Sequence, residues 1–132
     1  MLKDDLLRGL DAHQHEAVVS PPSSIVVHAG AGSGKTRVLT HRIAYRIAKG
    51  TADPQRVLAI TFTREAASEM RRRLKNLGVS RDSQSVTVGT FHAVALALLR
   101  QRLADTHKQM PSVVHNRTQL VAQAAKDHPM SS

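Results

Sequence analysis

The stretch "HAGAGSGKT", residues 28–36, constrains this chain more than any other. It follows an apolar run, "SSIVVHA" (23–29), which the turn residues of "SPPSS" punctuate, and it precedes "TRVLTHRIAYRIAKG", where Leu39, Ile43 and Ile47 recur at helical spacing. Strand, glycine loop, helix is the order that a phosphate-binding loop requires. Gly30, Gly32 and Gly34 lack a Cβ, so main-chain N–H groups can close around phosphate oxygens, and the start of the next helix adds a favourable dipole. Lys35 offers a cation to the β- and γ-phosphates, and Thr36 a hydroxyl to Mg²⁺. Ala29 stands where the usual first glycine would be. The expected ligand is therefore a nucleoside triphosphate with Mg²⁺, held by Ala29, Gly30, Ala31, Gly32, Ser33, Gly34, Lys35 and Thr36, with Lys35 and Thr36 acting on the reacting end. A glycine-rich turn with an incidental lysine is the alternative, and the flanking strand and helix disfavour it.

The rest of the pattern repeats the alternation. The helix after the loop ends at Lys49, with Gly50 suited to a left-handed terminus. "QRVLAITF" (55–62) reads as a second buried strand. Thr63 can cap a helix over residues 63–77, with Glu65 in its first turn. "VTVGT" (86–90) reads as a third strand, followed by an Ala- and Leu-rich helix over residues 91–103. "PSVVH" and a weak helix after Asn116 close the chain. Strands alternating with helices predict an α/β fold with a parallel sheet.

Charge narrows the partners. Nineteen Lys and Arg against ten Asp and Glu give +9, which favours polyanions such as nucleic acid over a merely basic surface only if the charge is focused. On the predicted helix over residues 63–77, Ala67, Met70, Leu74 and Leu77 form an apolar stripe. Arg64, Ser68, Arg71 and Lys75 fall on another stripe, about 120° around. Tyr45, Phe62 and Phe91 are the aromatic residues, so the core must be aliphatic. There is no cysteine, which excludes a disulfide framework and a thiolate metal site. The longest apolar run, residues 93–99, is too short to span a bilayer. The spacing of the eight histidines suggests no metal site, and Mg²⁺ with nucleotide is the one metal expected. A cytoplasmic chain without a membrane partner is expected.

Four blocks in order, "LDAHQHEAV", "AGAGSGKTRVLTHRIA", "ITFTREAASEM" and "VGTFHAVALALLR", together resemble the start of the UvrD/Rep/PcrA family. These are superfamily 1 DNA helicases that move 3′ to 5′ on single strands using ATP. The resemblance implies a RecA-like P-loop motor domain. It implies that Gln14 reads the adenine edge, and that Arg37 lies near base and ribose. It implies DNA contacts from Thr61, Phe62, Thr63 and Arg64, and from Thr90, Phe91 and His92. The basic stripe with Arg71 and Lys75 would extend that track. "TFTREAA" replaces the commoner "TFTNKAA", which moves one positive charge by a position. Packing in the core is the alternative role for Phe62 and Phe91.

The same resemblance implies residues 1–104 as the beginning of motor domain 1A and residues 105–132 as the start of the inserted helical subdomain 1B. No adjacent Asp–Glu pair follows the loop to hold Mg²⁺ through water; Asp53, Asp82, Asp105 and Asp127 are expected in turns or at helix ends. The motor domain would thus be incomplete, as in a truncation, a fragment or a broken reading frame. Such a chain would bind ATP and single-stranded DNA without helicase activity. Bare sheet edges would leave it marginally stable or self-associating. The competing functions are a non-catalytic nucleotide- or DNA-binding protein and a different small P-loop kinase.

Overall fold

The computed structural model describes residues 4–21, 23–32, 34–79, 86–111 and 117–127. A short 3₁₀ turn, Asp5–Leu7, leads into α1 (Ala12–Val19). The glycine loop opens α2 (Lys35–Ala48), and β1 (Leu58–Thr61), α3 (Arg64–Asn76) and β2 (Thr87–Thr90) follow. Two helices close the chain, α4 (Phe91–Asp105) and α5 (Arg117–Asp127). β1 and β2 pair in parallel, with Leu58 opposite Thr87 and Thr61 opposite Thr90, and α3 makes the crossover. The expected α/β alternation with a parallel sheet is present in this small form.

The strand expected over residues 23–29 is absent. A strand exists through ladder bonds to a neighbour, and among the described residues β1 and β2 pair only with each other. Ile25, Val26 and Val27 remain exposed, Val26 at 79%. Ile25 and Val27, with Val38 and Leu39 of α2, line a largely apolar hollow of about 310 Å³. The second strand is shorter than the expected 55–62. Pro54–Arg56 instead form a 3₁₀ turn, whose start is fixed by the Asp53 side chain accepting the Gln55 N–H at 3.0 Å. The helical spacing of Leu39, Ile43 and Ile47 does not mark the buried face of α2. Val38, Thr40 and Ala44 are buried, whereas Leu39 is exposed and Ile43 and Ile47 are half-buried. α1 packs against α2, and Val18 and Val38 are both buried.

α3 follows its pattern closely. Thr63 Oγ1 accepts the Ala66 N–H at 3.1 Å, and Ala67, Met70 and Leu74 are buried. Leu77 caps the C-terminal end, and Gly78 takes the left-handed conformation at φ +75°. One core unites Leu6, Ala44, Ala59, Met70, Leu74, Val79 and Val86. Truncating a side chain as buried as Leu74 costs roughly 2–5 kcal/mol, so the helix that faces the sheet is firmly held.

The chain divides into two compact units, Met1–Ala95 and Leu96–Ser132. The core lies in the first. In the second, α4 ends with His107 at φ +55° and Lys108 N–H donating to Leu103 O at 2.9 Å, a left-handed helix terminus. Asp105 and Asp127 are the last residues of their helices. Ser33, Asp82 and most of "PSVVH" lie outside the described residues. No helix among the described residues is long and apolar enough to cross a membrane.

Candidate nucleotide and nucleic-acid site

The glycine loop keeps open space above its backbone. A Cβ built on Gly30 or Gly32 would meet nothing within 4 Å. Gly32 and Gly34 adopt φ of +74° and +85°, a region that side chains other than glycine enter at a cost of about 1–2 kcal/mol. Gly34 is the residue from which α2 starts. Lys35 folds back along the loop, and its Nζ donates to Ala29 O at 2.9 Å and Gly30 O at 2.8 Å. Lys35 and Thr36 are both exposed in the first turn of α2, where N–H groups have no helical acceptor. Open glycines, an ammonium, a hydroxyl and a helix start are the donor set that polyphosphate with Mg²⁺ requires, so these residues fit the group.

Gln14 comes to this loop from α1. The helix begins with a reciprocal cap: Gln14 N–H donates to Asp11 Oδ1 at 2.8 Å, and Asp11 N–H donates to Gln14 Oε1 at 3.1 Å. The spacing of Asp11 and Gln14 is a legible capping signal that the reading of Gln14 as a base contact passed over. The amide nitrogen of Gln14 sits 2.9 Å from where a Cβ on Gly34 would be. A side chain at that position would displace the end of Gln14, and the positive φ would strain its backbone. Between α1 and the loop lies a cavity of about 260 Å³ lined by Asp11, Gln14, Ala17, His28 and Lys35 among others. Of these, Gln14, Ala29 and Lys35 were expected at a nucleotide site, and Asp11, His13 and His28 were not.

Three side chains of α2 hold the N-terminal segment. Arg37 Nη2 donates to Arg8 O at 3.5 Å and crowds Gly9, where a Cβ would lie 2.9 Å away. Arg37 thus anchors the turn before α1. His41 Nδ1 lies 2.6 Å from Leu6 O. A carbonyl only accepts, so this bond needs the proton on Nδ1. Arg42 reaches the far end of α1, with Nη1 2.8 Å from Ala17 O, 3.0 Å from Ser20 O and 2.6 Å from Ser20 Oγ, and Nη2 3.1 Å from Pro21 O. Burial, and then the charge of Arg46, lowers the Arg42 guanidinium from its usual value.

The two blocks expected to follow a DNA strand meet at one end of the sheet. β1 and β2 end level, at Thr61 and Thr90; β2 runs straight into α4, and β1 reaches α3 through Phe62 and Thr63. Thr61 Oγ1 donates to Thr63 O at 3.0 Å, Thr63 caps α3, and Thr90 Oγ1 accepts the Ala93 N–H at 3.3 Å. The hydroxyls therefore shape the two helix starts. The backbone at Gly89 also packs closely here, since a Cβ would approach Val94 Cγ2 to 3.1 Å. Phe62 and Phe91 stand beyond the strand ends with ring centroids 5.3 Å apart and planes at 50°. Phe62 is 88% exposed and Phe91 51%, so neither ring is a core residue. Arg64 and His92, also exposed, begin the same two helices. Two helix N-termini and an aromatic pair together form a surface suited to phosphates and bases.

The basic stripe of α3 divides by contact. Arg64, Ser68, Arg71 and Lys75 are all exposed. Arg71, however, donates through Nη2 to Val88 O at 3.2 Å, tying α3 to the sheet. In the parallel register Thr87 N–H bonds Val57 O, so Val88 points to the opposite edge of β2. Arg71 satisfies a carbonyl on that edge. On another side of α3, Glu69 accepts from Arg72 at 2.6 Å and from Arg73 at 2.7 Å, bonds that hold its carboxyl below the usual carboxylate range.

Comparison with known proteins bears on this arrangement. Residues 10–130 match the family model of the UvrD/REP helicase N-terminal domain. The chain is 44% identical over 130 residues to the ATP-dependent DNA helicase UvrD2 of Mycobacterium bovis, covering 92% of this chain and 18% of that one. It is 46% identical over 102 residues to DNA helicase II of Escherichia coli, covering 77% and 14%. It is 44% identical over 96 residues to the ATP-dependent DNA helicase PcrA of Staphylococcus epidermidis, covering 73% and 13%. The chain thus spans less than a fifth of the length of these relatives.

Proposed function

Because this chain belongs to the UvrD/REP helicase family, by that family's N-terminal domain, we propose that it is the nucleotide-binding and single-strand-contacting portion of an ATP-dependent 3′-to-5′ DNA helicase. Residues 1–104 would begin a RecA-like motor domain 1A, and residues 105–132 the inserted subdomain 1B. The observation that carries the reading is the open glycine loop, with Lys35 and Thr36 at the start of α2 and Gln14 packed over Gly34. ATP and Mg²⁺ would be held by Ala29, Gly30, Ala31, Gly32, Ser33, Gly34, Lys35 and Thr36, with Thr36 toward the metal, Gln14 toward the base and Arg37 beside it. Bound Mg²⁺ would screen phosphate charge and polarise the γ-phosphoryl group. Phe62 and Phe91 offer stacking faces to bases, while the starts of α3 and α4, with Thr61, Thr63, Arg64, Thr90 and His92, face the phosphates; Arg71 and Lys75 continue the track.

No adjacent Asp–Glu pair follows the loop in these 132 residues, and we assign the chain by itself to binding without turnover. Lys35→Ala tests the nucleotide half. Lys35 is exposed and bonds the carbonyls of its own loop, so the variant keeps the fold. MgATP affinity should fall at least about tenfold, in line with a lost charge-assisted phosphate bond. Calorimetry that finds equal affinity for both proteins removes the proposal. DNA-stimulated phosphate release by the pure chain would overturn the assignment to binding alone.

A further inference from the structure

We propose that Arg42 is a positioning residue that clasps the C-terminal end of α1 and thereby holds Gln14 over the phosphate loop. The inference rests on the nucleotide reading above and adds a residue that makes no contact with the nucleotide itself. α1 has eight residues, too few to persist alone as a helix in water. Its N-terminal end is closed internally by Asp11 and Gln14. Its C-terminal carbonyls have no helical donors of their own. The Arg42 fork supplies donors to Ala17 O, Ser20 O and Pro21 O, and to Ser20 Oγ, which itself donates to Ala17 O at 3.1 Å. A guanidinium at a helix C-terminus is also favoured by the helix dipole.

Arg42 sits about two turns along α2 from Lys35. One helix therefore carries the phosphate-facing lysine at its start and, further on, the clasp for the segment that bears the base-facing glutamine. Arg37 and His41 hold the approach to α1 at Arg8 and Leu6. Arg42 alone of the three grips the helix beyond Gln14. Loss of its fork frees α1 to tilt on the α2 surface while leaving the loop and Lys35 as they are. Base recognition should suffer, and phosphate binding should not.

The test compares two ligands, MgATP and magnesium tripolyphosphate, by calorimetry on the 132-residue chain. Arg42→Ala should weaken MgATP about tenfold, the worth of one well-placed hydrogen bond, and tripolyphosphate less than about twofold. Arg42→Lys, which keeps the charge but not the planar fork, should behave as Arg42→Ala does. In a Gln14→Ala background Arg42→Ala should add no further loss, because the two residues act in series. Equal weakening of both ligands in folded protein, or additive losses in the cycle, would overturn the proposal. If circular dichroism finds Arg42→Ala unfolded, Ser20→Ala removes one acceptor of the clasp and should give the same split at about threefold; an unsplit loss there counts against it equally. Failure of the unsubstituted chain to bind either ligand defeats the phosphate-loop reading itself, which is a different result from binding both without the split.

Discussion

Phe62 and Phe91, which belong to different strand–helix junctions, meet in a tilted pair with ring centroids 5.3 Å apart while both remain open to solvent. An exposed aromatic pair of this kind offers stacking faces without a role in the core. Phe62→Ala should therefore leave thermal stability within about 0.5 kcal/mol of the parent, as for an ordinary surface substitution. Binding of a short oligothymidylate should weaken by about 1–3 kcal/mol, the scale of one base–aromatic stack. Fluorescence anisotropy with unchanged affinity would return the pair to plain surface packing.

Gly34→Ala should fail in two separable ways. The residue sits at φ +85°, so the methyl group strains the backbone by about 1–2 kcal/mol. The same methyl meets Gln14 Nε2 at 2.9 Å, and the amide must move. A lowered denaturant midpoint together with weaker MgATP binding is the expected result. A variant as stable as the parent contradicts the left-handed start of α2.

Lys75 and Arg71 share the track, and Arg71 also braces the sheet. Lys75→Ala should flatten the slope of log affinity against log salt for single-stranded DNA by about 0.7, one phosphate contact on a single strand. Arg71→Ala should in addition lower stability, because it frees Val88 O at the sheet edge. Salt titration and chemical denaturation of the two variants separate these effects, and identical profiles for both would refute the division.

Glu69 sets a pH dependence. Its carboxyl is lowered by hydrogen bonds from Arg72 and Arg73. A lowered carboxylate contributes stability that is present above its unfolded value and fades as pH falls through its folded one. Stability should thus decline from the ordinary carboxylate range downward, and Glu69→Gln should reduce that decline while lowering stability at neutral pH. Denaturation curves across the acid range with the same slope in both proteins exclude the pairing.

What was legible in the sequence is what is local. Thr63 caps α3, Gly50 turns left-handed after α2, and Ala67, Met70 and Leu74 face the core, because each depends on neighbours within one or two turns. The apolar run over residues 23–29 predicts a strand but says nothing about whether a partner lies alongside it, and no ladder forms there among the described residues. The spacing of Leu39, Ile43 and Ile47 marks α2 as a helix but not its buried face, where Val38 and Ala44 lie and Leu39 does not. The bonds that Arg42 and Arg71 make carry no sequence signal: their acceptors, Ser20 O and Val88 O, are brought near only by tertiary packing.

The level ending of β1 and β2 works as a vernier. Side chains along a strand alternate between its two faces, so a slip of one place between Thr61 and Thr90 would turn one junction over relative to the other. Phe91 would then swing away from Phe62, and the mouths of the two following helices would no longer open side by side. Four residue pairs in a ladder too short to be robust thus keep a pair of distant segments in step, and whatever lies across both must feel any error in their alignment.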